Sequence, residues 1–204
     1  MACEQIELDH FDYVGIAVNS KERLIIESLA KKYYPNEKYE LKTSSGSSII
    51  IFPTETNTVV QYYLNEKTCQ NIKNMYVSGL IPKDVFVDII EFDEEYPAVV
   101  FEKIVPIITE DNLRGLTQCE QSTLVNDLSK KSIVQLISQM KENITILIRN
   151  QLSHGDCTMD NVGYSKNRNR FVLYDFDTLK INTVSRDLDL KSFYNSAKFH
   201  MVRM

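Results

Sequence analysis

Three short runs with strand character, set close together, constrain this chain most. Tyr39–Thr43, Ile49–Phe52 and Thr58–Leu64 read as strands, the last two rich in β-branched and aromatic residues. Ser44-Ser-Gly-Ser-Ser48 between the first two is a tight loop of small residues, and Pro53–Asn57 reads as a turn. Strand, loop, strand, turn, strand at this spacing is an antiparallel meander. A helix is expected from Asn65 to Ser78 with Gly79 as its stop. Two more strands follow, Val85–Glu91 and Pro97–Ile104, joined by the acidic Phe92–Tyr96. Five strands and one helix make one small lobe.

On the N-terminal side, residues 20–34 read as a helix with Leu24, Ile25, Leu29 and Ala30 as apolar positions. Ser20 is expected as its N-cap, and Pro35 ends it. From Thr109 onward the strand signal disappears. Thr109-Glu-Asp-Asn-Leu113 resembles a helix start with acids in its first turn. Ser132–Leu152 is the clearest helix, with Ile133, Ile137, Met140, Ile144 and Leu147 on one stripe. Strands gathered ahead of helices define the α+β class.

Composition narrows the function classes. No apolar run approaches the ~20 residues of a membrane-spanning helix. Met1–Gln5 carries an acid and no basic-then-apolar signal pattern. A cytoplasmic, intracellular protein is expected. The formal net charge of −5 argues against nucleic acid as the main partner. Lys166-Asn-Arg-Asn-Arg170 is the one basic stretch, read as a solvated hairpin turn. Cysteines at 3, 69, 119 and 157 show no paired spacing, and His occurs at 10, 154 and 200 alone. A structural metal cage is not expected, the thiols are expected free, and Cys157 is expected to pack.

The chemistry concentrates after the long helix. Leu152-Ser-His-Gly-Asp-Cys-Thr-Met-Asp-Asn161 is followed, across a hairpin, by Phe171-Val-Leu-Tyr-Asp-Phe-Asp177. Phosphoryl transfer from a nucleotide needs a divalent cation on the phosphates. Mg²⁺ favours oxygen ligands, one or two carboxylates plus the phosphates themselves. Asn161 and Asp175 offer such oxygens. The reaction also needs a group that orients the acceptor hydroxyl and takes its proton. Asp156 stands five residues before Asn161, so one loop can present both.

His154-Gly155-Asp156 with Asn161, then Asp175-Phe176-Asp177, resembles the catalytic and metal-binding loops of the protein-kinase-like superfamily. The Gly in the first motif and Asp-Phe-Asp in the second are similar to the aminoglycoside/choline kinase branch. They also resemble small atypical kinases such as the kinase subunit of the tRNA-modifying KEOPS complex. The resemblance implies a bilobal kinase-like fold, with a five-stranded antiparallel small lobe and a helical, truncated large lobe. It implies ATP and Mg²⁺, Asp156 as the catalytic group, and Asn161 and Asp175 as metal ligands. His154 would brace the loop. Ser44, Ser45, Gly46 and Ser47 would cover the phosphates, and the backbone near Glu102 and Ile104 would face adenine. The implied divisions are 1–37 as an N-terminal helical extension, 38–101 as small lobe, 102–105 as hinge and 106–204 as large lobe.

Two departures from that pattern matter. The third strand places Gln61 where such kinases carry a phosphate-gripping Lys, with Lys42 or Lys67 as substitutes. The acidic partner on the next helix is Glu66 or absent, since Asn71 is not acidic. Arg186-Asp187 resembles the pair that follows the metal Asp in the aminoglycoside/choline branch, and one helix is expected over Arg186–Tyr194. So short a region after Asp177 points to a minimal kinase of viral, bacterial-effector or atypical type, acting in a host cell in the first two cases. The expected activity is phosphoryl transfer to a protein Ser or Thr. The alternatives are a pseudokinase that binds a cellular protein partner, or a small-molecule phosphotransferase.

Overall fold

The computed structural model describes residues 18–44, 47–107, 130–181 and 188–201. The helix start expected at Thr109, the Arg186-Asp187 pair, and Cys3 and Cys119 lie outside these residues. The chain is α+β, with a five-stranded antiparallel sheet, helices and smaller antiparallel pairings. It divides into two compact units, Met1–Val77 with Asp88–Lys103, and Ser78–Val87 with Ile104–Met204. No described helix is long and apolar enough to cross a membrane.

In the first unit, helix α1 (Ser20–Tyr33) precedes strands β1 (Tyr39–Ser44), β2 (Ser48–Pro53) and β3 (Thr58–Tyr63). Helix α2 (Glu66–Val77), β4 (Ile89–Phe92) and β5 (Ala98–Glu102) complete it. The sheet order is β1-β2-β3-β5-β4 with every neighbour antiparallel. Period-two alternation splits its faces. Ile49, Ile51, Val60, Tyr62, Ala98 and Val100 form one core with Ile26, Leu29 and Ala30 of α1. Lys42, Ile50, Gln61 and Val99 are directly paired across four strands and so share the opposite face.

The N-cap of α1 is Asn19, not Ser20. The Asn19 side chain accepts from Glu22 N (3.0 Å), and the Glu22 carboxylate accepts from Asn19 N (2.9 Å). This reciprocal pair satisfies two orphan donors, which Ser20 inside the first turn does not do. The other end of α1 is tied to the β4–β5 turn. Asp93 accepts from Lys32 Nζ (2.7 Å), Tyr33 Oη (2.8 Å) and the backbone N–H groups of Glu95 and Tyr96.

The expected strand Val85–Glu91 is two pieces. Val85–Val87 belongs to the second unit, where Val87 N–H donates to Leu173 O (2.9 Å) and Leu173 N–H to Val85 O (2.8 Å). Only Ile89–Phe92 joins the large sheet, with a register shift between Ile89 and Glu91. A run of consecutive apolar residues suits either sheet, so its pairing is set by tertiary contacts.

The second unit holds β6 (Val105–Pro106), α3 (Lys130–Arg149), β7 (Leu152–Ser153), β8 (Val162–Ser165), β9 (Arg170–Leu173), β10 (Lys180–Ile181) and α4 (Leu188–Met201). Strands β6, β8 and β9 form one antiparallel sheet, and β7 pairs with β10. The buried line of α3 is Leu136, Met140, Ile144 and Leu147, while Ile133 and Ile137 are only half-buried. Asn143 is also fully buried there. Its amide donates to Phe171 O (3.1 Å) and accepts from Arg170 (2.8 Å). In the Lys166–Arg170 turn, Lys166 and Asn167 are exposed as expected. Arg168 instead turns inward and donates to the carbonyls of Lys83 and Phe86.

Candidate active site

The chain leaves β7 into His154-Gly155-Asp156, and this loop is held by four partners. Asp189, on α4 and 4% exposed, accepts from His154 N (2.8 Å) with one oxygen and from Gly155 N (3.0 Å) with the other. Thr178 Oγ1 donates to His154 O (2.7 Å). His154 Nε2 lies 2.8 Å from Tyr174 O, and a carbonyl only accepts, so Nε2 carries the proton. The imidazole is fully buried and stacks on Phe86 (5.9 Å between centroids), which stacks in turn on Phe176 (4.8 Å). His154 therefore braces the loop.

Gly155 has φ +82°, and a Cβ there would lie 2.6 Å from Thr178 O. Only glycine fits both the conformation and the space.

Asp156 is exposed at the end of this loop. A single 3₁₀ turn, Met159–Asn161, follows, with Met159 N–H bonded to Ser196 Oγ of α4 (3.1 Å). The Asn161 amide nitrogen donates to Asp156 O (2.8 Å) and to the Asp156 carboxylate (3.0 Å). This commits the nitrogen and leaves the amide oxygen as the acceptor. Cys157, between them, is fully buried. Burial first, then the charges of Asp189 and Asp156, push its thiol far above the ordinary range. It packs and is no nucleophile at neutral pH.

The β8–β9 hairpin returns Asp175 to Asn161. Val162 pairs with Leu173, and Tyr174 N–H donates to Asn161 O (3.0 Å), so the next residue is Asp175. Its φ of +63° is a left-handed conformation that Asp tolerates better than most residues. Asp156, Asn161 and Asp175 thus lie on one loop and the hairpin beside it.

The donor chemistry suits Mg²⁺. An amide oxygen on Asn161 and a carboxylate on Asp175 are hard ligands of the kind that cation shares with phosphates. Among the described residues no three His, Cys, Asp or Glu side chains gather to hold a metal by themselves.

The expected nucleotide contacts fall in both units. Ser45 and Gly46 lie outside the described residues. Ser44 pairs with Ser48 across the hairpin, and Ser47 O accepts from Leu64 N (3.0 Å). Gln61 is buried, with Nε2 donating to Ser48 Oγ (2.7 Å). Glu102 is buried at the end of β5, with its N–H donating to Asp88 O (2.9 Å). Ile104 belongs to the second unit and packs on Gly163, where a Cβ would lie 2.3 Å from its Cδ1. Lys67 is exposed in the first turn of α2.

The residue that sequence reasoning missed is Asp189. Its partners are backbone N–H groups 35 and 34 residues upstream, which leave no mark in side-chain patterns. No protein-family model matches the chain, and no curated protein is detectably similar to it.

Proposed function

We propose that this chain is an ATP- and Mg²⁺-dependent phosphotransferase, a minimal kinase with a bilobal protein-kinase-like fold, acting on protein Ser or Thr hydroxyls. The observation that carries this reading is the joint placement of Asp156, Asn161 and Asp175. Asn161 hydrogen-bonds Asp156, and the hairpin sets Asp175 beside Asn161.

In this reading the exposed Asp156 carboxylate accepts the hydrogen bond of the acceptor hydroxyl and orients its oxygen toward the γ-phosphorus. The acceptor O–P bond forms, the bond to the β–γ bridging oxygen breaks, ADP leaves, and Asp156 takes the hydroxyl proton. Asn161 fixes the Asp156 rotamer by its hydrogen bond, while Asp189 and Thr178 hold the backbone that carries it. Mg²⁺ on Asn161 and Asp175 would neutralise phosphate charge.

Gln61 favours a second reading, a kinase-shaped binding module without turnover. It is uncharged, buried and committed to Ser48. Transfer of the labelled γ-phosphate of ATP into proteins of a cell lysate separates the two. Labelling by wild type and not by Asp156→Ala supports the enzyme. Label only in small molecules moves the acceptor class. No label anywhere favours the binding module.

A further inference from the structure

We propose that the outer edge of β1 is a self-pairing surface. Two copies of this chain join β1 to β1, antiparallel about a twofold axis at Leu41, so that their two sheets become one.

The ladder fixes which backbone groups this edge presents. Thr54 N–H donates to Lys38 O (3.0 Å), so Lys38 faces β2 as a hydrogen-bonded pair. The register then runs unbroken from Tyr39 opposite Pro53 to Ser44 opposite Ser48. Hydrogen-bonded and non-hydrogen-bonded pairs alternate along an antiparallel ladder. Glu40 and Lys42 therefore direct their backbone groups to β2, whereas Tyr39, Leu41 and Thr43 direct theirs away from it. Among the described residues no strand lies beyond β1. A row of this kind is a template for another strand. The opposite edge, β4, is guarded. It has four residues against six in β1, its register shifts between Ile89 and Glu91, and the Tyr76 hydroxyl donates to Ile89 O (3.5 Å).

Charge selects both the occupant and the register. With the axis at Leu41, Glu40 of one copy stands opposite Lys42 of the other, twice over, and the outward groups of Tyr39, Leu41 and Thr43 meet their like. Moving the axis one residue either way sets Glu40 against Glu40, or Lys42 against Lys42, and like charges directly opposite are destabilising. Both side chains are available, at 71% exposed for Glu40 and 36% for Lys42, and within one chain they make only a long contact of 3.9 Å. Across the join they form a non-hydrogen-bonded pair, the closer of the two kinds, with Cα atoms about 4.5 Å apart.

The other face of the strand agrees. Helix α1 builds its core with β2, β3 and β5, and leaves Tyr39 and Leu41 only half-buried against it. The join sets Leu41 beside its own copy and covers this remaining apolar surface.

The test is sedimentation of the full chain over a concentration series. It compares wild type, Glu40→Lys, Lys42→Glu, the double variant Glu40→Lys/Lys42→Glu, and an equimolar mixture of the two single variants. Wild type is expected to dimerise reversibly. Each single variant dimerises about tenfold more weakly or worse, because both symmetry-related pairs change from opposite to like charges at once. The double variant and the mixture restore opposite charges across both pairs and recover dimers near wild-type strength. That recovery also shows that the single variants fold. A wild type that stays monomeric at every concentration overturns the proposal. Single variants that dimerise as wild type does place the interface elsewhere and overturn it too. A double variant and a mixture that both fail to recover do the same, since charge pairing across β1 is then not the cause of the loss.

Discussion

The amide nitrogen of Asn161 lies 3.0 Å from the carboxylate of Asp156 and 2.8 Å from its carbonyl oxygen. One side chain thus fixes both the backbone and the rotamer of the exposed acid, and its amide oxygen is left as an acceptor.

That relationship predicts different losses for its two members. Asp156→Ala lowers turnover by roughly 10²–10⁴-fold, the usual contribution of a positioned acid–base group, and spares ATP affinity. Asn161→Ala lowers turnover and raises the Mg²⁺ concentration needed for half-maximal rate. ADP-release kinetics across a Mg²⁺ series, with ATP binding measured in parallel, read both effects.

Asp189→Ala leaves the N–H groups of His154 and Gly155 without their acceptor. The buried His154 N–H left unsatisfied costs about 1–3 kcal/mol, while the N–H of the exposed Gly155 can turn to water, so the variant loses roughly 1–3 kcal/mol in urea unfolding. Asp189→Asn keeps one acceptor oxygen and loses less. Equal stability of wild type and Asp189→Ala counts against the loop anchor.

Gly155→Ala is expected to destabilise by about 1–2 kcal/mol from its φ of +82° alone. The 2.6 Å approach to Thr178 O adds to that, because the obstacle is backbone. Thermal melting of Gly155→Ala against Gly79→Ala isolates the clash. Gly79 shares a positive φ (+71°) but has open space around its Cβ position.

Acid stability depends on Asp93. Burial alone would raise its pKa. The Lys32 ammonium, the Tyr96 and Glu95 amides and the Tyr33 hydroxyl outweigh burial and hold it below 3.8. The folded-state pKa lies below the unfolded one, so this stabilisation is complete above the ordinary carboxylate range. It is lost as pH falls through the folded value. Asp93→Asn is expected to melt lower than wild type at pH 7, with a gap that narrows below about pH 4. A gap that widens on acidification contradicts the assignment.

The sequence carried the local features of this fold and missed those set at long range. β1, β2 and β3 were legible because β-branched and apolar runs alternate with turn chemistry over very few residues. Asn161 and Asp175 were legible as a pair because their separation fits one short hairpin. Val85–Val87 was not, since an apolar run does not say which sheet it joins. Nothing in the helix pattern marks Asn143, which is buried and bonded to Phe171 and Arg170 on β9. Arg168 read as solvated because its acceptors are carbonyls at Lys83 and Phe86, more than eighty residues away. Asn19 was passed over for Ser20, although Glu22 completes the capping box with Asn19.

The most direct test of the central claim is ADP release from ATP with Mg²⁺, by wild type and by Asp175→Ala, with and without a cell lysate. The account predicts release by wild type that disappears in Asp175→Ala, with both proteins melting cooperatively. Release that persists in Asp175→Ala, or none from a folded wild type under any condition, would contradict it.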